Sequence, residues 1–180
     1  MAAFALFLRG INVGGNKILP MAELRALIAK LGFTDAQTLL QSGNAVFRGA
    51  AQPSAKLEQA FEAAVQKRFG FESDCMVRTT KEWSALMAAN PFTAEAKADP
   101  AHLLVVLLRE KPKAGLLAPL RAAIKGPERV ELDGRTLYVV YSAGQGTSKF
   151  TLPVIEKVLG TRGTGRNWNT VTKVAELLKD

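Results

Sequence analysis

Two short polar blocks hold the residue types most able to do chemistry in this chain. The first, residues 9–17, reads R-G-I-N-V-G-G-N-K, and the second, residues 41–44, reads Q-S-G-N. Glycines let backbone N–H groups come close to an anion, and cationic and amide side chains complete such a surface. The blocks therefore predict a site for an oxyanion or a phosphate. Its candidate residues are Arg9, Gly10, Asn12, Gly14, Gly15, Lys17, Gln41, Ser42, Gly43 and Asn44.

The first block is a near miss to the nucleotide P-loop pattern G-x-x-x-x-G-K-[ST]. Lys17 comes one position late, and I-L-P follows it, so no hydroxyl stands ready for Mg²⁺. We therefore reject a Walker-type ATPase. The alternative to a ligand site is a tight loop closed on itself, because asparagine and glycine both tolerate turn conformations.

The second half of the chain carries another candidate group. The segment 144–149, G-Q-G-T-S-K, precedes a predicted helix whose first N–H groups could meet an anion. The segment 166–170, R-N-W-N-T, offers a guanidinium, a stacking ring and, at Asn169 or Thr170, a helix cap. The alternatives are a flexible loop and a Trp168 that packs between two halves; one site or two stays open. The candidate ligand residues here are Ser148, Lys149, Arg166, Asn167, Trp168 and Asn169.

Cysteine and histidine are too scarce for several kinds of site. Cys75 and His102 are the single residues of their types, which excludes an intramolecular disulfide and a thiolate zinc cage. We expect Cys75 to be a buried strand residue and His102 to stand at the entrance of a strand. The sequence predicts no metal site and no cofactor.

Charge and hydropathy bear on partners and location. The net charge of +8 and pI of about 9.8 favour nucleic acid, anionic lipid or phosphorylated ligands. The alternative is a set of solvated helix faces, because the charges form no run of five or six. The aliphatic run 103–108 is far shorter than the roughly 20 residues that cross a bilayer. We expect a cytoplasmic protein without a membrane partner.

Periodicity in residues 1–79 predicts the order βαββαβ. A strand over 3–9 is followed by a helix over 21–31, and strands 38–41 and 45–48 form a hairpin. A helix from Pro53 to Gly70 and a strand over 72–78 complete the set. In this order the loop after the first strand and the hairpin turn share one edge of the sheet. A sheet face bearing Phe7 and Arg9, beside Phe47 or Arg48, could be open for base stacking, although no RNP1 pattern is present. The alternative is that the other half of the protein covers this face.

A similar order of predicted strands and helices recurs after a connector over residues 80–101. Thr79 and Glu82 have the spacing of a capping box at the start of a connector helix. The second half predicts a strand 103–108, a helix 115–124, a hairpin 129–132 with 136–141, a helix 150–159, a strand 161–166 and a helix from Asn169. The predicted class is α+β, with two tandem ferredoxin-like (split βαβ) halves, antiparallel sheets, a connector helix and a C-terminal helix. The domains would be 1–79, 80–101 and 102–180.

Five spaced blocks resemble one family, the bacterial proteins grouped as domain of unknown function 1697 (DUF1697). They are R-G-I-N-V-G-G at 9–15, Q-S-G-N at 41–44, N-P-F at 90–92, S-K at 148–149 and R-N-W-N-T at 166–170. The resemblance implies two ferredoxin-like halves in one chain. It implies no biochemical activity.

Three function hypotheses follow. The first is a cytosolic binding module for a phosphate-bearing ligand, nucleic acid or nucleotide. The second is an enzyme acting on a small anionic substrate, with Ser148 or Lys149 as the reactive group. The third is a structural or protein-interaction protein without a small ligand. The sequence defines no oligomeric state.

Overall fold

The computed structural model describes residues 1–179, which form two compact units. Unit 1 comprises Met1–Ala85 together with the residues from Lys173 onward, and unit 2 comprises Leu86–Thr172. Both boundaries fall inside helices. The division into 1–79, 80–101 and 102–180 stays a prediction.

Unit 1 contains a four-stranded antiparallel sheet in the order β2-β3-β1-β4. Its strands and helices alternate as the periodicity predicts, although β2 begins before the predicted strand and β4 begins after it. The elements are β1 (Ala2–Leu8), α1 (Met21–Lys30), β2 (Thr34–Leu39), β3 (Asn44–Gly49), α2 (Ser54–Phe69), β4 (Cys75–Thr79) and α3 (Thr80–Ala88).

The core of unit 1 lies between one face of this sheet and helices α1 and α2. Phe4, Leu6 and Leu8 of β1 point into it and are fully buried, because alternate residues of a strand share a face. Phe47 lies at its centre, with its ring 5.5 Å from that of Phe4 and 5.3 Å from that of Phe61. Such clusters of tilted and stacked rings add to the free energy gained from burial alone.

The opposite face of the sheet is covered, which corrects one expectation. Phe7 is fully buried, and its ring stacks on Trp83 of α3 at a centroid distance of 5.0 Å and an interplanar angle of 13°. Phe47 lies on the other face, inside the core. The prediction of an open aromatic face for RNA is therefore wrong, because the connector helix packs its tryptophan there.

Helix α3 begins with the predicted capping box. The Thr79 N–H donates to the Glu82 carboxylate at 2.7 Å, and the Glu82 N–H donates to Thr79 Oγ1 at 3.1 Å. Ser54, at the start of α2, donates its hydroxyl to the same carboxylate at 2.7 Å. One glutamate thus ties together the starts of two helices.

Unit 2 repeats the strand arrangement with the order β6-β7-β5-β8, again antiparallel. The helix α4 is not anticipated by the sequence patterns, and α5 is shorter than the predicted 115–124. His102 ends a 3₁₀ turn directly before β5, at the strand entrance as expected. The elements are α4 (Thr93–Ala98), the 3₁₀ turn Pro100–His102, β5 (Leu103–Leu108), α5 (Leu117–Ala122), β6 (Arg129–Asp133), β7 (Thr136–Val140), α6 (Leu152–Leu159), β8 (Gly163–Asn167) and α7 (Trp168–Lys179).

The core of unit 2 packs one face of its sheet against α5 and α6, with Val106, Val139 and Ile155 fully buried. The Tyr141 hydroxyl donates to the Phe150 carbonyl at 2.7 Å inside it. Burial raises the pKa of Tyr141 to about 12, and the charge of Glu128 adds to that shift. The phenol therefore stays neutral and serves as a structural hydrogen-bond donor.

Glutamates from the helices reach the outermost strands β4 and β8. Glu58 and Glu62 of α2 accept from the N–H groups of Val77 at 3.0 Å and Cys75 at 3.1 Å. In unit 2, Glu156 of α6 accepts from the Gly163 N–H at 2.9 Å. Cys75 is buried at the start of β4, as expected from the sequence. These carboxylates satisfy backbone donors that no neighbouring strand can reach.

The chain is thus a mixed α/β protein with two four-stranded antiparallel sheets. Among residues 1–179, no helix is both long enough and apolar enough to cross a bilayer.

Candidate functional site

The loop Gly10–Ile18 and the turn Leu40–Gly43 lie against each other at one edge of the unit 1 sheet. The Leu8 N–H donates to the Gly43 carbonyl at 3.0 Å, and Asn12 Nδ2 donates to the Gln41 carbonyl at 2.7 Å. The prediction that the two segments are neighbours is confirmed. We call the surface that they form the rim.

Asn12 holds the loop together. Its Nδ2 also donates to the Leu19 carbonyl at 2.9 Å, and its Oδ1 accepts from the Leu19 N–H at 2.8 Å. The residue adopts a positive φ of 55°, which asparagine tolerates better than most side chains. Both polar atoms of the amide therefore make internal hydrogen bonds, and the assignment of Asn12 as a ligand group stays a prediction.

The tip of the loop is a two-residue turn. Val13 and Asn16 pair as an antiparallel bridge, and the Asn16 N–H donates to the Val13 carbonyl at 3.0 Å. Between them Gly14 and Gly15 have φ of 58° and 76°, the conformation of type I′ hairpins. Both glycines and the following Lys17 are exposed, so two peptide groups and one ammonium group lie together at the surface.

The turn of the second block is partly structural. Asn44 is fully buried, and its Nδ2 donates to the Leu39 carbonyl at 2.7 Å and to Ser42 Oγ at 3.0 Å. Gly43 has φ of 83°, and a Cβ there would lie 2.7 Å from Ile11 Cδ1. Gly43 and Asn44 therefore shape the turn. Gln41 and Ser42 are exposed on the same surface.

Three apolar side chains of the rim are exposed to solvent. The sequence patterns did not indicate their exposure. Val13, Ile18 and Leu40 are 65%, 58% and 57% exposed. They belong to a set of five large exposed hydrophobic residues among those described, with Met1 and Leu31. The rim thus combines apolar tips with Lys17 and exposed peptide groups.

Arg9 lies at the base of the rim. It is half-buried, its N–H donates to the Asp74 carbonyl at 3.0 Å, and its own carbonyl accepts from Ser73 Oγ at 2.8 Å. The main chain of Arg9 is therefore anchored to the segment before β4. Gly10 follows it as an exposed residue with φ of 68°.

In unit 2, Ser148 is engaged within its own loop. Its hydroxyl donates to Glu128 and accepts from the Phe150 N–H at 3.0 Å. The hydrogen bond from Ser148 lowers the pKa of Glu128, and bonds from backbone groups act in the same direction. Lys149 is exposed beside an open groove of about 240 Å³ that Glu128 and Lys125 also line. The groove therefore holds one carboxylate together with two ammonium groups, and the glycine-rich sequence did not reveal the carboxylate.

The segment 166–169 is mostly packed. Arg166 is 8% exposed, and its Nη1 donates to Thr164 Oγ1 at 2.6 Å and to the Gly165 carbonyl at 2.8 Å. Burial lowers the pKa of Arg166 to about 10. Trp168 is 9% exposed. Both side chains are therefore largely buried, and their assignment as ligand groups stays a prediction.

The helix cap of α7 differs from the expected one. Asn167 Oδ1 accepts from the Thr170 N–H at 3.1 Å, which makes Asn167 the N-cap rather than Asn169 or Thr170. Asn169 is exposed, and its carbonyl accepts from Thr172 Oγ1 at 2.9 Å. Asn167 therefore has a capping role that accounts for its position after β8.

The candidate residues consequently fall into two sets. The surface set of unit 1 comprises Arg9, Gly10, Gly14, Gly15, Lys17, Gln41 and Ser42. The second set belongs to unit 2 and comprises Ser148, Lys149, Arg166, Asn167, Trp168 and Asn169. Only Lys149 and Asn169 of that second set are exposed.

Comparisons with known proteins agree with this class of mixed α/β protein. The family model described as "Protein of unknown function (DUF1697)" matches residues 1–138, and the chain belongs to that family. Among solved structures, a conserved bacterial protein from Streptococcus pneumoniae is similar to it with a TM-score of 0.71 and 22% sequence identity, over 98% of each chain. At that identity the likeness shows the fold alone. No curated protein matches the chain.

Proposed function

We propose that this protein is a binding module for a phosphate-bearing ligand, a nucleotide or a nucleic acid, held at the rim of unit 1. The proposal rests on one observation, that the exposed Gly14–Gly15 turn is followed closely by the exposed Lys17. Two consecutive residues with positive φ present peptide N–H groups without side-chain obstruction, and a neighbouring ammonium group adds a favourable charge. Phosphate oxygens accept from both kinds of donor.

The apolar tips of the rim favour a ligand that is more than an inorganic anion. Val13, Ile18 and Leu40 expose more than half of their surface around the polar turn. A nucleobase or another flat apolar group can cover such side chains while its phosphate binds at the glycines. This combination supports a nucleotide or a nucleic acid strand over a free phosphate ion.

The contacts give less support to an enzyme built on Ser148. Its hydroxyl is bonded to Glu128 and to the Phe150 N–H, so it acts as a fixing group of its loop. Lys149 is solvent-exposed rather than enclosed in a cleft. The phosphate-binding function therefore rests on unit 1.

The architecture we assign to this module is a ferredoxin-like duplication, with halves 1–79 and 102–180 joined by the connector 80–101. Equivalent backbone hydrogen bonds at the end of the first strand of each half support it. The pairs are Leu8 with Gly43 at 3.0 Å and Leu108 with Arg135 at 2.9 Å, then Arg9 with Asp74 at 3.0 Å and Arg109 with Arg162 at 2.8 Å.

The compartment we assign is the cytosol. The support is that Cys75 is the single cysteine of the sequence, so the fold uses no intramolecular disulfide.

The test is a titration of the ¹⁵N-labelled protein with AMP and with inorganic phosphate. We expect saturable shifts of the Gly14, Gly15 and Lys17 amide signals, larger for AMP because of its base. The variant Lys17→Gln should weaken binding about threefold, since one exposed cation contributes roughly 0.5–1 kcal/mol. Lys67→Gln, on the exposed side of α2, removes the same charge elsewhere and should leave affinity unchanged. Shifts that are spread over the surface and equal to those caused by sodium chloride would contradict the proposal.

A further inference from the structure

The sheet of unit 2 gathers three arginines at one edge. Arg109 directly follows β5, Arg135 directly precedes β7, and Arg162 directly precedes β8. These three strands are neighbours in the order β7-β5-β8 and are antiparallel, so the end of β5 meets the beginnings of the other two. Adjacent strands lie about 4.8 Å apart, which places the three arginine backbones within roughly 10 Å.

Backbone hydrogen bonds hold this arrangement. The Leu108 N–H donates to the Arg135 carbonyl at 2.9 Å, and the Arg109 N–H donates to the Arg162 carbonyl at 2.8 Å. Arg135 Nε also donates to the Leu108 carbonyl at 3.3 Å. The juxtaposition is therefore fixed by the sheet and does not depend on flexible side chains meeting.

Two lysines extend the cluster. The Glu110 N–H donates to Thr161 Oγ1 at 3.0 Å, which keeps the chain beside the beginning of β8, and the exposed Lys111 and Lys113 follow at once. The acidic groups at this edge are Glu110, whose carboxylate accepts from Arg109 at 3.2 Å, the exposed Asp133 of the β6–β7 turn, and Glu156, whose carboxylate accepts from the Gly163 N–H at 2.9 Å. Five cations are therefore accompanied by three carboxylates, which leaves a positive balance.

We infer that this surface, which we name the arginine edge (Arg109, Lys111, Lys113, Arg135 and Arg162), binds the phosphate backbone of a nucleic acid. A cluster that spans three strand ends is wider than one phosphate group needs, and it matches successive phosphates along a strand. Guanidinium groups bind phosphate oxygens in bidentate fashion, which suits arginine better than lysine at the centre of such a surface.

Unit 1 repeats only one of the three arginines, since Arg9 is the equivalent of Arg109. Where unit 2 has Arg135 and Arg162 as the acceptors of the paired backbone hydrogen bonds, unit 1 has Gly43 and Asp74. The positive charge is thus a property of unit 2 and not a consequence of the strand arrangement.

An anionic membrane surface is the less favoured partner. Binding at a lipid interface uses apolar side chains that insert beside the cations. Among residues 1–179 the large exposed hydrophobic residues all lie at or before Leu40, in unit 1. The arginine edge therefore has charge without an apolar anchor, which is typical of contacts to a phosphate backbone.

The inference stands apart from the rim of unit 1. It uses none of the residues of the Gly10–Ile18 loop, so the rim and the arginine edge can succeed or fail separately.

The test measures the salt dependence of binding to a fluorescently labelled single-stranded RNA of mixed sequence. Each phosphate neutralised on a single strand contributes about 0.7 to the slope of log affinity against log salt. Five cations predict a slope of about 3.5, hence a loss of about 100-fold in affinity between 50 and 200 mM salt. The triple variant Lys111→Gln/Lys113→Gln/Arg162→Gln should reduce the slope to about 1.4 and the loss to about sevenfold.

A matched triple variant separates the edge from net charge. Lys30→Gln/Lys56→Gln/Lys67→Gln removes the same three charges from exposed positions of α1 and α2. It should keep the slope of about 3.5. Equal losses in both triple variants, or absence of binding by the unmodified protein, would overturn the inference.

A replacement variant and a competing probe complete the experiment. Should the Arg162 change disturb folding by circular dichroism, the double variant Lys111→Gln/Lys113→Gln replaces it, with an expected slope of about 2.1. Vesicles containing phosphatidylserine are the competing probe. Binding to these vesicles that survives an excess of RNA, together with weak RNA binding, would overturn the assignment to nucleic acid.

Discussion

Removing the Asn12 side chain should release the loop of the rim from its turn. The amide makes three hydrogen bonds, to the Leu19 carbonyl at 2.9 Å, to the Gln41 carbonyl at 2.7 Å and from the Leu19 N–H at 2.8 Å. Each is worth about 0.5–1.5 kcal/mol net, and partial exposure places the sum near 2 kcal/mol. The positive φ of 55° adds roughly 1 kcal/mol when alanine replaces asparagine.

Two variants separate these contributions. Asn12→Gly removes the hydrogen bonds and tolerates the backbone, so we expect a loss of about 2 kcal/mol in the free energy of unfolding. Asn12→Ala should lose about 3 kcal/mol. Asn16→Ala is the control in the same loop, because Asn16 is exposed and has no positive φ, and it should change stability by less than about 0.5 kcal/mol.

The chain offers a convenient fluorescence assay. It contains two tryptophans, Trp83 in unit 1 and Trp168 in unit 2. In a Trp168→Phe background, the urea transition seen by fluorescence reports unit 1 alone. Hydrogen exchange of residues 8–19 and 40–44 should rise in the Asn12 variants and not in the control. Equal stability of all three variants, or unchanged exchange in both segments, would refute the idea that Asn12 clamps the loop to the turn.

Two other predictions follow from local contacts. Burial by itself would raise the pKa of Glu82, but hydrogen bonds from the Thr79 N–H and the Ser54 hydroxyl, with the charge of Arg78, lower it below the ordinary 4.5. Its stabilisation is therefore present above that value and lost as the pH falls through the folded-state pKa, so Glu82→Gln should cost about 1 kcal/mol at pH 7 and flatten the decline of stability between pH 5 and pH 3 in urea titrations. A Cβ at Gly163 would lie 2.8 Å from Val106 Cγ1 and 3.1 Å from the Leu107 carbonyl, so Gly163→Ala should lower the urea midpoint of unit 2 by the equivalent of about 1–3 kcal/mol. Gly146→Ala, where no atom lies within 4 Å, is its control, and a similar loss there would contradict the steric explanation.

Local signals in the sequence located α1, α2 and the start of α3, whereas α4 was not anticipated. Apolar residues spaced three and four apart and the glycine after the last turn predict α1 and α2, and Gly70 ends α2 with φ of 77° as a left-handed cap. The capping box at Thr79 and Glu82 was also readable, since its partners are three residues apart. Helix periodicity, a terminal glycine and a capping box all depend on contacts between residues a few positions apart, so they can be read from the sequence.

Contacts between distant segments explain what the sequence did not show. Trp83 covers Phe7 across 76 positions of chain, and no local pattern reports that a connector helix packs on the second face of a sheet. Arg166 was assigned as an anion-binding residue because it offers a guanidinium group. Its pairing opposite Val105 in β8 buries it, and the nearby Thr164 and Gly165 supply acceptors for its guanidinium.

At the rim as well, the sequence could not distinguish a ligand-binding residue from a structural one. Asparagine at position 12 is equally consistent with binding a ligand and with closing a loop, and only the positions of Leu19 and Gln41 show the second. Glu128 had no place among the sequence candidates, because it lies 20 positions from Ser148 and in no glycine-rich pattern.

The helix glutamates that reach β4 and β8 bear on how this protein behaves at high concentration. Unpaired N–H groups on a terminal strand are templates for strands of other molecules, and this is one origin of aggregation. Glu58, Glu62 and Glu156 occupy such groups from within the same chain. Because each carboxylate occupies an N–H group that a strand of a second copy would otherwise use, we expect the addition of foreign strands along β4 and β8 to be disfavoured.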